Sequence, residues 1–236
     1  MWKSTVDGRQ LHFHLAGINN QNFIMRDEET GSWWQQVTGE AFLGPLNGKQ
    51  LDLVYHDELS YGLWKKEKPQ GRVLQPNQTM TAAGRYAPAD WEDRVGKFLV
   101  PTKPSDQRLE PRALVAGVSL NGSAKAYPIS ALQKQNLIID VVGGTPVLFA
   151  MGDDKKSLRA FDRVVDGRAL EFFAKTNASP MRLVDSETGS EWDFTGSAVS
   201  GPLAGKQLRK IEIIRDYWFD WQAYHANTDI YLEADK

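Results

Sequence analysis

The sequence predicts a mainly β protein of antiparallel hairpins with a few short helices and an internal duplication. The first observation is a repeat. The block Asp27-Glu28-Glu29-Thr30-Gly31-Ser32-Trp33-Trp34, with Thr38-Gly39 and Gly44-Pro45-Leu46-Asn47-Gly48-Lys49-Gln50-Leu51 after it, returns as Asp185-Ser186-Glu187-Thr188-Gly189-Ser190-Glu191-Trp192, Thr195-Gly196 and Gly201-Pro202-Leu203-Ala204-Gly205-Lys206-Gln207-Leu208. The second is a set of tight-turn dipeptides, Asp7-Gly8, Asn121-Gly122 and Gly143-Gly144, each between short alternating apolar segments. The third is the composition of the repeated turn. In Asp-x-x-Thr-Gly the carboxylate can accept turn amides and the glycine takes the left-handed position.

The repeat extends both ways. Val6-Asp7-Gly8-Arg9 matches Val165-Asp166-Gly167-Arg168, Trp64 falls opposite Trp221, and Val73-Leu74 falls opposite Ile230-Tyr231. The expected organisation is a first, incomplete unit over 1–75, a Pro-punctuated connector over 76–112 and a second, complete unit over 113–236. Packing the two units across a pseudo-symmetric interface is expected to hide most of the eight tryptophans.

Residues 2–15 read as a hairpin turned by Asp7-Gly8. In its second arm Leu11, Phe13 and Leu15 alternate with His12 and His14, which share a face. These histidines are the one candidate metal pair, against the plainer account of two solvated strand residues, since no further ligand stands at useful spacing. The amide-rich loop containing Asn19, Asn20 and Asn22 suits polar recognition, and asparagine equally suits a turning backbone. Phe23-Ile24-Met25 and Trp33-Trp34 read as strands around the repeated turn. Trp33, Gln35 and Gln36 have no like residues in the second copy, so a ligand, if one copy binds it, is expected on the first.

Asp57-Glu58 is read as the acidic first turn of a short helix bearing Leu63 and Trp64. Asp216 takes that part before Tyr217, Trp218 and Trp221, whose helical spacing points to a packing face, with His225 as a helix-end cap. The connector carries Pro76, Pro88, Pro101, Pro104 and Pro111; its run Arg85-Tyr86-Ala87-Pro88-Ala89-Asp90-Trp91 either covers a cleft or packs along a surface. Beyond it, hairpins are expected over Leu114 to Tyr127 and over Leu137 to Ala150, with a short helix in Pro128 to Gln135, and Leu158 to Val165 opens the second copy.

A chain of 236 residues can bury a core without staples. The absence of cysteine removes a disulfide scaffold, a thiolate metal site and a thiol nucleophile. A net charge of −2 argues against nucleic acid as a partner. No apolar run approaches the roughly 20 residues of a membrane span, and no cofactor is read from the sequence.

Gly117-Val118-Ser119-Leu120-Asn121-Gly122-Ser123-Ala124-Lys125-Ala126-Tyr127-Pro128, Asp140, Gly144-Thr145-Pro146-Val147, Phe161-Asp162-Arg163 and Asp166-Gly167, joined to the Asp-x-x-Thr-Gly-Ser-x-Trp and Gly-Pro-Leu-x-Gly blocks, resemble the bacterial family of domain of unknown function 3179. The resemblance covers most of 114–232, and its second half recurs over 1–75. It implies a Cys-x-x-Cys-type motif between the Pro-Val and Phe-Asp-Arg strands, hence redox or metal chemistry there, and an extracytoplasmic setting. Gly152 and Lys155 stand in the places of the thiols, and neither can supply a thiolate.

Three functional readings result. The first is a non-catalytic binding or structural module whose first unit presents Asn19, Asn20, Asn22, Trp33, Gln35 and Gln36 to a small polar ligand or protein partner. The second is a redox or metal-associated protein whose thiol-bearing segment lies outside this sequence, which predicts an unpaired strand edge at residues 2–6. The third is an enzyme using Asp27 or Asp185 with His14, although no triad, phosphate loop or metal signature accompanies them.

Overall fold

The computed structural model describes residues 1–19, 22–84, 88, 90, 91, 94, 106–176, 178 and 180–232. The chain is mainly β. Its first part holds a small ribbon, β1 (Thr5–Val6) and β2 (Arg9–Gln10), then a four-strand meander of β3 (Phe13–Asn19), β4 (Asn22–Asp27), β5 (Trp33–Gln35) and β6 (Ala41–Leu43). Helices α1 (Tyr61–Glu67) and α2 (Gln78–Ala82) follow. The hairpin β7 (Leu114–Leu120) and β8 (Ser123–Pro128), helix α3 (Ile129–Gln135) and the hairpin β9 (Leu137–Val142) and β10 (Thr145–Met151) lead into β11 (Leu158–Asp162). A second ribbon, β12 (Val164–Val165) and β13 (Arg168–Ala169), precedes a second meander of β14 (Phe172–Ala174), β15 (Arg182–Asp185), β16 (Glu191–Asp193) and β17 (Ala198–Ser200). The chain closes with β18 (Arg209–Ile211), β19 (Ile214–Tyr217), α4 (Trp218–Tyr224) and β20 (Asp229–Ile230).

The turns form for the reasons their residues suggest. Asp7 and Gly8 adopt φ of 48° and 78°, Asn121 and Gly122 51° and 78°, Gly143 and Gly144 54° and 76°; these are left-handed pairs whose twist suits the flanking strands. The two meanders share one construction. Arg26 lies opposite Trp33 and Met25 opposite Trp34, as Val184 lies opposite Glu191 and Leu183 opposite Trp192. Each has a bulge between its third and fourth strands.

β10 is the middle of the second part. It pairs with β9 and β11, and β18 completes that sheet. One face of β10, through Val147, Phe149 and Met151, joins Tyr127, Leu132 and Ala116; the other, through Leu148 and Ala150, joins Phe172, Leu183 and Trp192 of the second meander. β10 is thus buried on both sides. A third sheet runs β19-β7-β8-β20 and packs Trp218 and Trp221 of α4 against Val115 and Ala126.

β20 runs parallel to β8. Two expectations need correction. Only Trp34, Trp192, Trp218 and Trp221 are fully buried, so half rather than most of the tryptophans are hidden. Asp57 and Glu58 precede α1 without entering its first turn; Ser60 caps that helix by accepting from the Leu63 amide, while Asp57 pairs with Arg159 and Lys210 and Glu58 bridges to Leu158. The carboxylates answer distant cations, which outweigh a helix-terminus dipole. Of the aromatic run in the connector, Arg85, Tyr86, Ala87 and Ala89 lie outside the described residues, and Trp91 is exposed.

At residues 1–3 the backbone pairs with 52–54, Trp2 opposite Leu53, with Lys3 N donating to Asp52 O and Val54 N to Met1 O. Among the described residues no strand pairs with the other side of this segment.

Candidate functional site

The repeated turn sets the first meander in place. Asp27 is buried at the turn and accepts from Thr30 N at 2.6 Å, Ser32 N at 3.1 Å and Trp34 Nε1 at 2.8 Å. Burial raises its carboxyl, but the bonds from Trp34 and Thr30 outweigh burial and hold it below the usual range. Asp185 repeats the arrangement with Thr188 and Trp192. Both carboxylates are consumed by the turns they close.

With Trp34 pointed into the core, alternation sends its neighbour Gln35 to the opposite face. There Gln35 Nε2 donates to Tyr224 Oη of α4 at 3.1 Å and to Asn22 Oδ1 at 3.4 Å. Asn22 Nδ2 reaches Asp220 Oδ2 at 3.5 Å, and Tyr224 Oη donates to the Asn19 carbonyl at 2.8 Å. This chain of bonds joins β3 to β5 with α4 along the wall of a cleft of about 370 Å³.

The cleft lies between Asn22, Gln36 and Val37 on one side and Glu212, Asp216 and Asp220 on the other, with His56 and Glu58 at its margin. Its chemistry is dominated by acceptors. Burial, then the neighbouring Asp220 charge, pushes the Asp216 carboxyl up to about 7, and burial also raises Asp220 and Glu58. Burial, with the like charge of its neighbour, disfavours ionising both Asp216 and Asp220. Glu212 Oε1 lies 2.8 Å from His56 Nδ1 and accepts from the Met1 ammonium at 3.5 Å, while its buried Oε2 has no hydrogen-bond partner. Arg215 Nε stands 3.8 Å from Glu58. Four carboxyls against one guanidinium, one imidazole and the Met1 ammonium leave the cleft rich in acceptors.

The residues expected to bind therefore divide. Asn22 and Gln36 line the cleft, and Gln35 braces it from behind; Gln36 also receives the Trp2 indole N–H on its carbonyl at 2.7 Å. Asn19 contributes its backbone carbonyl to Tyr224. Trp33 does not line the cleft; it sits half-buried opposite Leu43 with the Arg26 guanidinium 5.8 Å from its ring centroid. Asn20 lies outside the described residues. His12 and His14 do not converge on a common centre. Nδ1 of His12 meets Glu29 Oε1 at 2.6 Å, whose hydrogen bond raises the imidazole pKa, and His14 lies opposite Arg26. Among the described residues no group of three or more His, Asp or Glu is placed to hold a metal ion.

Asp216, Asp220, Glu58 and Glu212 were not singled out as a site by the sequence. One signal was present: in the register of the repeat, Asp216 and Asp220 fall opposite Leu59 and Leu63. The same elements in the other copy build a second cavity, of about 550 Å³, where Ser60 and Leu63 of the α1 region face Pro180, Met181 and Phe194. The loop 152–157 closes that cavity. Asp154 anchors it by accepting from Ser60 Oγ and Ser157 Oγ, both at 2.6 Å, and from Ser157 N at 2.8 Å; these bonds outweigh burial and hold its carboxyl far below the ordinary range. Lys155, with φ of 54°, turns its ammonium to Gln133 O at 2.9 Å. Where the resemblance puts thiols, the loop is a turn tied to α1 and α3.

The family model described as Protein of unknown function (DUF3179) matches residues 1–228. No curated protein and no solved structure matches the chain. On a match that covers nearly its whole length, the chain belongs to the DUF3179 family.

Proposed function

We propose that the chain is a non-catalytic binding module and that the cleft between the first meander and α4 takes a small, donor-rich ligand carrying an amine. The observation that carries this reading is the acceptor excess: Glu58, Glu212 and the Asp216–Asp220 pair surround a space whose basic groups, among the described residues, are His56, Arg215 and the Met1 ammonium 3.5 Å from Glu212 Oε1, and Glu212 Oε2 is left without a donor. An ammonium satisfies such a surface because it supplies both charge and up to three N–H groups. Asn22 and Gln36 add polar groups that fix orientation, in the manner of small-molecule sites generally.

Isothermal titration with ethanolamine, glucosamine and glucose tests the reading. Heat is expected with the two amines and not with glucose, and the Glu212→Gln and Asn22→Ala variants are expected to weaken amine binding. Failure of both amines to bind with a Kd below about 1 mM would overturn it.

A further inference from the structure

The two meanders carry matching apolar faces, and only one is covered. In the register of the repeat, the first cluster of Trp2, Val6, Leu11, Phe13, Met25, Trp34, Ala41, Leu46 and Leu51 corresponds position by position to Phe161, Val165, Leu170, Phe172, Leu183, Trp192, Ala198, Leu203 and Leu208 of the second. The second cluster has an addition. Leu137, Ile139, Leu148 and Ala150 of the β9–β10 hairpin lie across it. The first meander has no such layer among the described residues, and its exposure shows the difference: Phe23 is 46% exposed where Met181 is 8%, and Trp2, Phe13 and Met25 are only partly buried where Phe161, Phe172 and Leu183 are buried. A contiguous apolar face of this kind marks an interaction surface.

The backbone is open at the same place. β11 is paired on both sides, with β18 and with β10, where Phe161 lies opposite Leu148. Among the described residues the matching segment 1–3 has only the first of these partners, Trp2 opposite Leu53. An unpaired edge beside an uncovered apolar face accepts a strand by β-augmentation.

We propose that this edge and face are a docking site for a polypeptide β-hairpin of β9–β10 chemistry, with Leu, Ile and Ala alternating on its inner face and its second strand antiparallel to residues 1–3. The covered copy in the same chain specifies the occupant. A second copy of these residues could supply its own β9–β10 only by stripping Leu148 and Ala150 from one cluster and Val147 and Phe149 from the other, so the occupant is a hairpin other than this β9–β10. The inference does not depend on what the acceptor-rich cleft binds.

The test is a chain in which a copy of residues 137–159 is placed directly before Met1, which aligns with Ala160. Hydrogen exchange over 1–4 and 13–25 is expected to slow by about tenfold or more relative to the unextended chain. The same extension with Asp at the positions copied from Leu148 and Ala150 is expected to give no slowing. Phe23→Lys is expected to leave the urea midpoint of the unextended chain unchanged and to abolish the protection in the extended one. Exchange that is equal in the extended and unextended chains overturns the proposal. So does sedimentation showing that the unextended chain is already a dimer broken by Phe23→Lys, because the occupant is then a second copy.

Discussion

The indole N–H of Trp34 donates to Asp27 Oδ2 at 2.8 Å, and the pair Trp192 and Asp185 repeats the bond at 2.9 Å. Removing the donor takes one of three hydrogen bonds from that oxygen, which Ser32 N and Thr30 Oγ1 still serve, and a bond to a charged group contributes about 1.5–3 kcal/mol. Trp34→Phe is therefore expected to lower the urea unfolding free energy by that amount, plus a smaller packing loss, with an unchanged m-value.

Asp27 and Asp185 also set a pH dependence. Their folded pKa values are depressed, so their contribution is present above the unfolded value near 3.9 and is lost as pH falls through the folded values. Denaturation curves between about pH 5 and pH 2 are expected to fall steeply for the native chain. An Asp27→Asn, Asp185→Asn double variant is expected to start lower and fall less.

Asp216 acts with the opposite sign. Its folded pKa is raised to about 7, so the stability it allows is full below the unfolded value near 3.9 and declines as pH rises through about 7. The thermal midpoint of the native chain is expected to drop across that interval. Asp216→Asn, which cannot ionise, is expected to flatten the drop, and an unaltered profile in the variant would contradict the raised Asp216 carboxyl.

Arg159 is the ion centre that ties α1 to the second part of the chain. Its guanidinium meets Glu67 Oε2 at 2.7 Å and Asp57 Oδ2 at 2.9 Å and lies 4.7 Å from the Phe194 ring centroid. The arginine is 4% exposed. Breaking a buried pair from one side costs about 3–5 kcal/mol, because the partners stay charged. Arg159→Met is expected to destabilise the chain by about this much, and limited proteolysis is expected to cut within 57–67 first.

Gly117 makes room for an indole. A Cβ there would stand 2.2 Å from Trp221 Cζ3. Gly117→Ala is expected to cost about 1–3 kcal/mol, the usual result of overpacking, and to shift the tryptophan emission to longer wavelength as Trp221 is displaced.

How much of this could be read beforehand depended on how far apart the interacting residues lie. The hairpins at Asp7-Gly8, Asn121-Gly122 and Gly143-Gly144, and the Asp-x-x-Thr-Gly turns, were legible because the residues that require the conformation are the residues that adopt it. The acceptor-rich cleft was not, because Asn22 and Asp220 meet across 198 positions and no local pattern joins them. Asp57-Glu58 looked like a helix start for the same reason: Lys210, which draws Asp57 away, is 153 positions distant. Asn22 and Gln36 reached the cleft from a composition argument, while Trp33, on the same side of β5 as Gln35, is held away from it opposite Leu43 and beside Arg26.

The bond from Trp34 to Asp27 closes a loop of seven residues, whereas that from Gln35 to Tyr224 spans 189. Short loops close early and at small entropic cost, and distant ones wait until the intervening chain has been ordered. Each meander can therefore take shape while its stretch of chain is being synthesised. The cleft, which joins the first meander to α4, is assembled last.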